Sequence, residues 1–570
     1  MARKQKKKNK KINYKKVFLA VITLVLIILL ICSTLKFVEN KIGFKDFYIS
    51  SDTNEVVLYT YDKENELMTD IDIIYRGQKI KSNEQTTSIG DITYIEIMLN
   101  DEEKYYVKEG TLVTSEEDIV KETTMYVRTS VTVYKNEIDS KIASFIKKGN
   151  KLEVLDYDYV DEEGNVNMYQ VKNADIEGWV YSKYLVSTEE EAKANYNENG
   201  VYDIHKDRKY SRELYGGKAS TLDYYPVEKV EFKDNLLLKN AKSMYLNGSS
   251  NVISKVDDYI KIATTSGANA IVVDIKDGAL AYPSEIAKEY SMTAYNSAMN
   301  KLETYKSAIQ KIKDAGIYVI GRIVAFNDSH YGKDHPEDCI KSSASYRLWP
   351  SAFSRNAWEY NVELAKEAVE VMGFNEIQFD YVRFPEDAYN MSKSSSTDFK
   401  NKYNEEKAEA VQNFLIYATD EIHKKNAYVS VDVFGECSST YVTSYGQYWP
   451  AISNVVDVIS SMPYTDHFTN YGDNSKSEYW TNPYKTVNNW AKGAAERQKE
   501  IPTPAIPRTW ITAYDTPYWN PNVIYDANKI SDQARALVDA GLTGGFITWH
   551  SASNLNKYNQ IKSAFGKEYT

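Results

Sequence analysis

Hydrophobic and polar positions divide this chain into three regimes. From Val17 to Leu35 almost every residue is apolar. About nineteen residues at a rise of 1.5 Å just cross a bilayer core, which predicts a transmembrane helix over 17–38. Between about residues 50 and 187 the apolar positions come in short alternating runs, such as Tyr94 to Met98, Met125 to Val133 and Asn167 to Lys172. Turn residues separate them at short intervals, which predicts small all-β barrels. A polar, acidic stretch from Thr188 to Asn199 follows as a short helix or linker, and 188–240 reads as a linker, with a cover for the barrel's lower end as the alternative for Val201 to Asn235. From Ala241 strand-like runs alternate with amphipathic helices, of which Thr304 to Ala315 and Arg355 to Met372 are the clearest. Eight strands are predicted: Ser243–Leu246, Ala270–Ile275, Tyr318–Ala325, Glu376–Val382, Tyr428–Phe434, Val456–Met462, Thr509–Ala513 and Gly544–Trp549. This is the α/β pattern of a (β/α)8 TIM barrel, and 241–570 is long enough for one with enlarged loops.

The β region contains a repeat. Arg76-Gly77-Gln78-Lys79-Ile80 matches Lys148-Gly149-Asn150-Lys151-Leu152, and Tyr106-Val107 with Leu112 matches Trp179-Val180 with Leu185. The offset is about 72 residues in both cases, the mark of a tandem module. The second copy (122–187) opens with Tyr126-Val127-Arg128 and closes with Gly178-Trp179-Val180-Tyr181-Ser182-Lys183-Tyr184-Leu185. It resembles a bacterial SH3-like domain. The first copy (50–118) has Lys104-Tyr105-Tyr106 where Gly-Trp is expected, so it is a divergent match. The resemblance implies binding of wall peptides or glycans; a rigid spacer is the alternative.

Charge changes the picture at the N-terminus. The chain has 570 residues, enough for about three or four domains. Its net charge is −11, yet Lys and Arg crowd residues 3–16. A basic tail ahead of an apolar run puts the N-terminus in the cytoplasm and everything after about residue 38 outside. The expected location is therefore the cell membrane, single-pass, with the later domains extracellular. The alternatives are a cleaved signal, for which no A-x-A-like site follows, and lipidation at Cys32, which Ile31 disfavours. The acidic body argues against nucleic acid as a partner. Cys339 and Cys437 either pair or stay free, and no Cys-x-x-Cys occurs. Tyrosine is abundant, at 48 residues, which suits both core filling and stacking on sugar rings.

Active sites of such barrels lie at the C-terminal ends of the strands. There the sequence puts Asp274, Lys276 and Asp277 after strand two. Arg322, Asn327, Asp328 and His330 follow strand three. Asp380, Tyr381 and Arg383 end strand four, and Asp432 and Glu436 strand five. Tyr464, Asp466 and His467 follow strand six, Tyr514 and Asp515 strand seven, and Trp549 and His550 strand eight. Carboxylates at the ends of buried strands are costly unless paired or used. Glycoside hydrolysis needs two carboxyl groups across the scissile bond. Trp349, Tyr464, Trp510, Tyr514, Trp519 and Trp549 offer flat faces for sugars, although core packing explains any one of them.

The string Phe379-Asp380-Tyr381-Val382-Arg383-Phe384-Pro385, with Val273-Asp274-Ile275-Lys276-Asp277-Gly278, Arg322-Ile323-Val324-Ala325-Phe326, Val431-Asp432-Val433-Phe434-Gly435 and Met462-Pro463-Tyr464, resembles a bacterial glycoside hydrolase family related in fold to α-amylase-like barrels. The resemblance implies Asp380 as nucleophile and Glu436 as acid/base; Asp432, with a structural role as its alternative, and Asp274 are the other candidates, and Arg383, near Asp380 in the sequence, is expected to hold it ionised. Asp274, Lys276, Arg322, Asp328, Arg383, Tyr464, Asp466, Tyr514, Trp549 and His550 are the candidate substrate contacts. The expected partner is a polysaccharide or peptidoglycan, and no cofactor or metal is expected. His-x-His and His-Glu-x-x-His spacings, a phosphate loop, a dinucleotide glycine motif and a Gly-x-Ser-x-Gly elbow are all missing from the sequence. The rival reading is a non-catalytic carbohydrate-binding barrel; a metal-dependent deacetylase of wall sugars is a third.

Overall fold

The computed structural model describes residues 22–28, 43–100, 103–209, 215–343, 347–469 and 474–569. The chain divides into two compact units. The first comprises residues up to 125 with 152–172 and 181–183. The second comprises 126–151, 173–180 and everything from 184 on. Of the segment 17–38, expected to cross a membrane, only 22–28 belong to the described residues, and these are helical and exposed. Among the described residues no helix is long and apolar enough to cross a membrane.

Two seven-stranded antiparallel sheets precede the barrel. The strands of one are Lys45–Ile49, Glu55–Asp62, Leu67–Tyr75, Lys79–Ile89, Ile92–Leu99, Glu103–Lys108 and Leu112–Val113. The other is built from Thr124–Val127, Val131–Tyr134, Ile142–Ile146, Lys151–Tyr157, Met168–Asn173, Ile176–Tyr181 and Leu185–Val186. Counted along the chain, both have the spatial order third, second, sixth, fifth, fourth, first, seventh. The sequence repeat is thus a repeat of topology. Its glycines play matching parts. Gly77 and Gly149 sit at φ 83° and 84°, where a side chain is strained. Their amides donate to Ile49 O at 2.8 Å and Val127 O at 2.7 Å, tying the same turn to the first strand of each sheet.

Residues 188–240 carry two short helices. Glu189–Lys193 is a short helix with a capping box from Thr188, and Val201–His205 is another. Val201, Ala219, Leu222 and Tyr224 are buried with Ala408, Val442, Tyr448, Ala451 and Ile501. Arg208 holds Glu500 through two hydrogen bonds of 2.5 and 2.9 Å. These apolar residues follow no period because the segment is largely irregular, so nothing in their spacing marks them as core.

Eight strand positions make the barrel: β1 Ala241–Leu246, β2 Ala270–Asp277, β3 Tyr318–Val324, β4 Glu376–Asp380, β5 Tyr428–Phe434, β6 Val458–Met462, β7 Thr509–Thr512 and β8 Gly545–Trp549. A short piece, Ile506–Pro507, precedes β7 and pairs with β6, so nine parallel strands form a nearly closed barrel. The Arg508 amide between the two pieces donates to Ile459 O at 2.9 Å. One principal helix follows each position: α1 Val256–Ser266, α2 Leu302–Asp314, α3 Arg355–Met372, α4 Lys407–His423, α5 Trp449–Val455, α6 Pro483–Gln498, α7 Ala527–Asp539 and α8 Leu555–Ile561.

The barrel interior is layered. Near the N-terminal ends of the strands, Arg508 and Glu376 form a fully buried ion pair with contacts of 2.8 and 2.9 Å. The Tyr318 hydroxyl donates to Glu376 at 3.1 Å, and Arg508 reaches Leu238 O at 2.8 Å. Ala241, Tyr245, Ala270, Val272, Ile320, Trp510 and Ile547 form the apolar layer. Breaking a buried ion pair leaves an uncompensated charge, so Glu376→Gln or Arg508→Met alone should cost about 3–5 kcal/mol of stability. Urea denaturation should show the two single variants far less stable than the Glu376→Leu/Arg508→Met double variant. Equal losses in all three would refute a paired role.

Candidate active site

In a strand alternate residues face the same way, so a carboxylate two positions beyond an inward apolar residue also points inward. Asp274 stands two beyond Val272 on β2, and Arg322 two beyond Ile320 on β3. Asp380 ends β4, and Asp432 lies on β5. Asp274 pairs with Arg322 in register, while Asp380 lies beside Val324. All four side chains are buried.

Arg322 is the hub. Its Nη1 donates to Asp274 Oδ1 at 2.8 Å and to Asp277 Oδ2 at 3.2 Å. Its Nη2 and Nε reach Asp380 Oδ2 at 2.5 and 3.2 Å. Nε also lies 3.6 Å from Asp432 Oδ2. Neutral donors take up the other oxygens. The Tyr245 hydroxyl donates to Asp274 Oδ2 at 2.5 Å, the Trp510 indole to Asp432 Oδ1 at 2.7 Å and the Tyr381 amide to Asp380 Oδ1 at 2.6 Å. Asp432 Oδ2 is buried and has no hydrogen-bond partner.

One cation among four carboxylates leaves part of their mutual repulsion uncompensated. Burial, and then the charge of Asp380, push the Asp432 carboxyl well above the usual carboxylate range. Burial pushes Asp274 up to about 6, against the pull of Arg322. Burial alone would lower the Arg322 guanidinium, but Asp274, Asp380 and Asp277 hold it well above its ordinary value. Of the four, Asp432 is the carboxyl that its surroundings push furthest toward the protonated form.

Aromatic rings surround this cluster. Trp549 is half-buried and lies 5.6 Å from the Arg322 guanidinium. It stacks on Tyr464 at 6.3 Å and meets Tyr245 at 4.6 Å and Trp510 edge-on at 5.5 Å. Beside them the Tyr514 hydroxyl and the Trp519 indole donate to buried Asp466 at 2.6 and 3.3 Å.

The remaining predicted residues lie elsewhere. Lys276 is buried and donates to Asp328 at 2.6 Å and to Asn361 at 2.8 Å. Asp328 also accepts from the amides of His330 and Tyr331, capping the helix Ser329–Asp334. Arg383 donates to Glu386 at 2.7 Å and to Phe384 O at 3.0 Å, so the ion pair of Asp380 is with Arg322. Glu436 is exposed in the turn Gly435–Ser438, and its oxygens accept from Tyr441 and Tyr445 at 2.8 and 2.9 Å. His550 is half-buried, burial lowers its pKa, and its Nδ1 has no partner. Cys339 and Cys437 are free and buried. His335, Glu337 and Asp338 are the one group among the described residues close enough to share a metal ion. They belong to the β3–α3 loop and are tied to Tyr290 O, His335 and Tyr331 respectively. Tyr245 is a site residue that the sequence does not single out; alternation along β1 from Ala241 through Ser243 is the signal that finds it.

A family model described as "Putative glycosyl hydrolase domain" matches residues 243–556, more than half of the chain. The crystal structure of a hypothetical protein from Ruminiclostridium thermocellum ATCC 27405 is similar at 31% identity, over 33% of this chain and 97% of that one, with a TM-score of 0.28. The PgaB (BpsB) glycoside hydrolase domain from Bordetella bronchiseptica is similar at 11% identity, over 58% and 99%, with a TM-score of 0.42. A class V chitininase from Pseudomonas fluorescens Pf-5 shares 13% identity over 57% and 99%, with a TM-score of 0.37. No curated protein matches the sequence.

The protonation of Asp432 is directly measurable. Infrared spectra at pH 7 should contain a carboxylic acid C=O stretch that Asp432→Asn removes and Asp380→Asn does not. A spectrum without that band would mean that Asp432 is ionised.

Proposed function

Since the chain belongs to the glycosyl hydrolase family whose model it matches, we propose that its barrel hydrolyses a wall or extracellular polysaccharide, with Asp380 as nucleophile and Asp432 as general acid. The observation that carries the assignment is Arg322 Nε, which lies 3.2 Å from Asp380 and 3.6 Å from Asp432. One guanidinium thus faces two carboxyl groups, one of which burial pushes toward its protonated form, which suits the division of labour that glycoside hydrolysis needs.

Asp432 donates the proton on Oδ2 to the glycosidic oxygen as the bond to the anomeric carbon breaks. Asp380 attacks that carbon, and water later releases the sugar as Asp432, now ionised, takes up the water's proton. Arg322 stabilises whichever of the two carboxyl groups is charged. Trp549 and Tyr464 offer faces for the sugar rings. Glu436, where the α-amylase-like resemblance puts the acid, acts on this reading as a rim contact. The basic and apolar N-terminal segment serves as a membrane anchor with the later domains outside the cell. The tandem modules, by their SH3-like resemblance, hold the barrel close to wall glycan, which raises its effective concentration.

The full chain should release reducing ends from purified peptidoglycan or from one of a panel of polysaccharides. Asp380→Asn should lose nearly all of that activity, and Asp432→Asn should lose about 10²–10⁴-fold. Glu436→Gln should lose much less. A general acid must be protonated, so activity should fall as pH rises through the raised pKa of Asp432, and Asp432→Asn should abolish that alkaline limb. A parent that binds glycan yet releases nothing is a binding barrel. An Asp432→Asn variant with unchanged rate and pH profile moves the acid elsewhere.

A further inference from the structure

The loop between β3 and α3 gathers three donors that the Arg322 cluster does not use. One ligand atom each from His335, Glu337 and Asp338 lies within 4.8 Å of the other two. Two ligands of one zinc ion stand up to about 4.4 Å apart, so little movement brings all three onto one ion. No metal is expected from the sequence, because His335-Pro336-Glu337-Asp338 matches none of the common ligand spacings.

Two features beyond proximity point to a cation. The first is the imidazole. His335 Nε2 lies 2.6 Å from Tyr290 O. A carbonyl oxygen only accepts, so Nε2 carries the hydrogen and the lone pair of the neutral ring is on Nδ1. Nδ1 faces Glu337 Oε1 at 3.1 Å. Two acceptors at that distance repel unless a proton or a metal ion stands between them. A backbone carbonyl on the far nitrogen is also the usual partner of a metal-binding histidine. Tyr331, stacked on the ring at 4.5 Å, holds its plane.

The second is Asp338. Its carboxylate is more than nine-tenths buried. The groups that hold it are neutral: the Tyr331 hydroxyl at 2.9 Å, the Ser354 hydroxyl at 2.7 Å and the Asn356 amide at 3.4 Å. Among the described residues no cation forms an ion pair with it. A carboxylate buried to this degree is normally paired with a cation or bound to a metal. Glu337, Asp338, Ser354 and Asn356 line a cavity of about 690 Å³, which gives an ion a way in and room for water to complete its coordination.

We propose that His335, Glu337 and Asp338 bind one divalent transition-metal ion of the zinc type. One imidazole with two carboxylates suits zinc or manganese, whereas calcium and magnesium take oxygen ligands. The ion ties the end of the helix Ser329–Asp334 to the start of α3, because Ser354 both donates to Asp338 and caps that helix through the Ala357 amide. Its role is structural. The site shares no residue with the Arg322 cluster, and the proposal does not rest on the hydrolase reading.

The test uses the full chain, stripped with a chelator and titrated with Zn²⁺ at pH 7 against a chromogenic chelator. One Zn²⁺ should bind per chain, and neither Ca²⁺ nor Mg²⁺ should displace it. Glu337→Gln alters an exposed residue without changing its shape, so it should fold like the parent and bind Zn²⁺ at least about tenfold more weakly. Tyr331→Phe removes a hydroxyl that orients Asp338 and should weaken binding about tenfold. His467→Ala, which removes an exposed histidine elsewhere, should bind like the parent. Excess Zn²⁺ should raise the melting temperature of the parent and leave that of Glu337→Gln unchanged. A parent that binds no Zn²⁺ would overturn the proposal and leave a proton on Nδ1. Binding that Glu337→Gln and His335→Gln both leave unchanged would put the ion elsewhere and overturn it too. Preference for Ca²⁺ over Zn²⁺ would overturn the part given to the imidazole.

Discussion

Everything at the mouth of this barrel depends on one buried guanidinium. Arg322 brings its full positive charge into the protein interior, where it persists because four aspartates surround it. In turn the aspartates crowd together because Arg322 offsets part of their repulsion. Three of these carboxyl groups are buried and Asp277 is half-exposed, and burial pushes Asp432 furthest toward its protonated form.

The barrel makes this arrangement rigid. The Arg508–Glu376 pair anchors the lower interior, and the apolar layer of Val272, Ile320 and Ile547 separates it from the Arg322 cluster. Two sets of charges thus share one barrel with hydrocarbon between them. Neutral donors finish the upper set: Tyr245, Trp510 and the Tyr381 amide each satisfy one carboxylate oxygen, and buried Asp432 Oδ2 is left without a hydrogen bond.

The eight strand positions are legible in the sequence because apolar runs of the right length alternate with amphipathic helices. Their ends are less so. β4 stops at Asp380, two residues short of the expected Val382, because Tyr381 enters the left-handed region. The seventh position is broken at Arg508, a charge in a strand whose partner, Glu376, is 132 residues away. The same long reach governs the site. Asp380 has Arg383 three residues on, but its partner is Arg322, 58 residues earlier on the adjacent strand. Proximity along the chain favours the first, and register in the sheet decides for the second. Residues 188–240 illustrate the opposite limit, where burial follows no period at all.

The most direct test of the central claim, that this barrel hydrolyses glycan, is to run the reaction in heavy-oxygen water and weigh the products. Each new reducing end should carry one solvent oxygen when the parent acts on its polysaccharide, and Asp380→Asn should make no such product. Products that are formed without solvent oxygen would contradict hydrolysis and point to elimination. No product from any polysaccharide would contradict the enzyme itself.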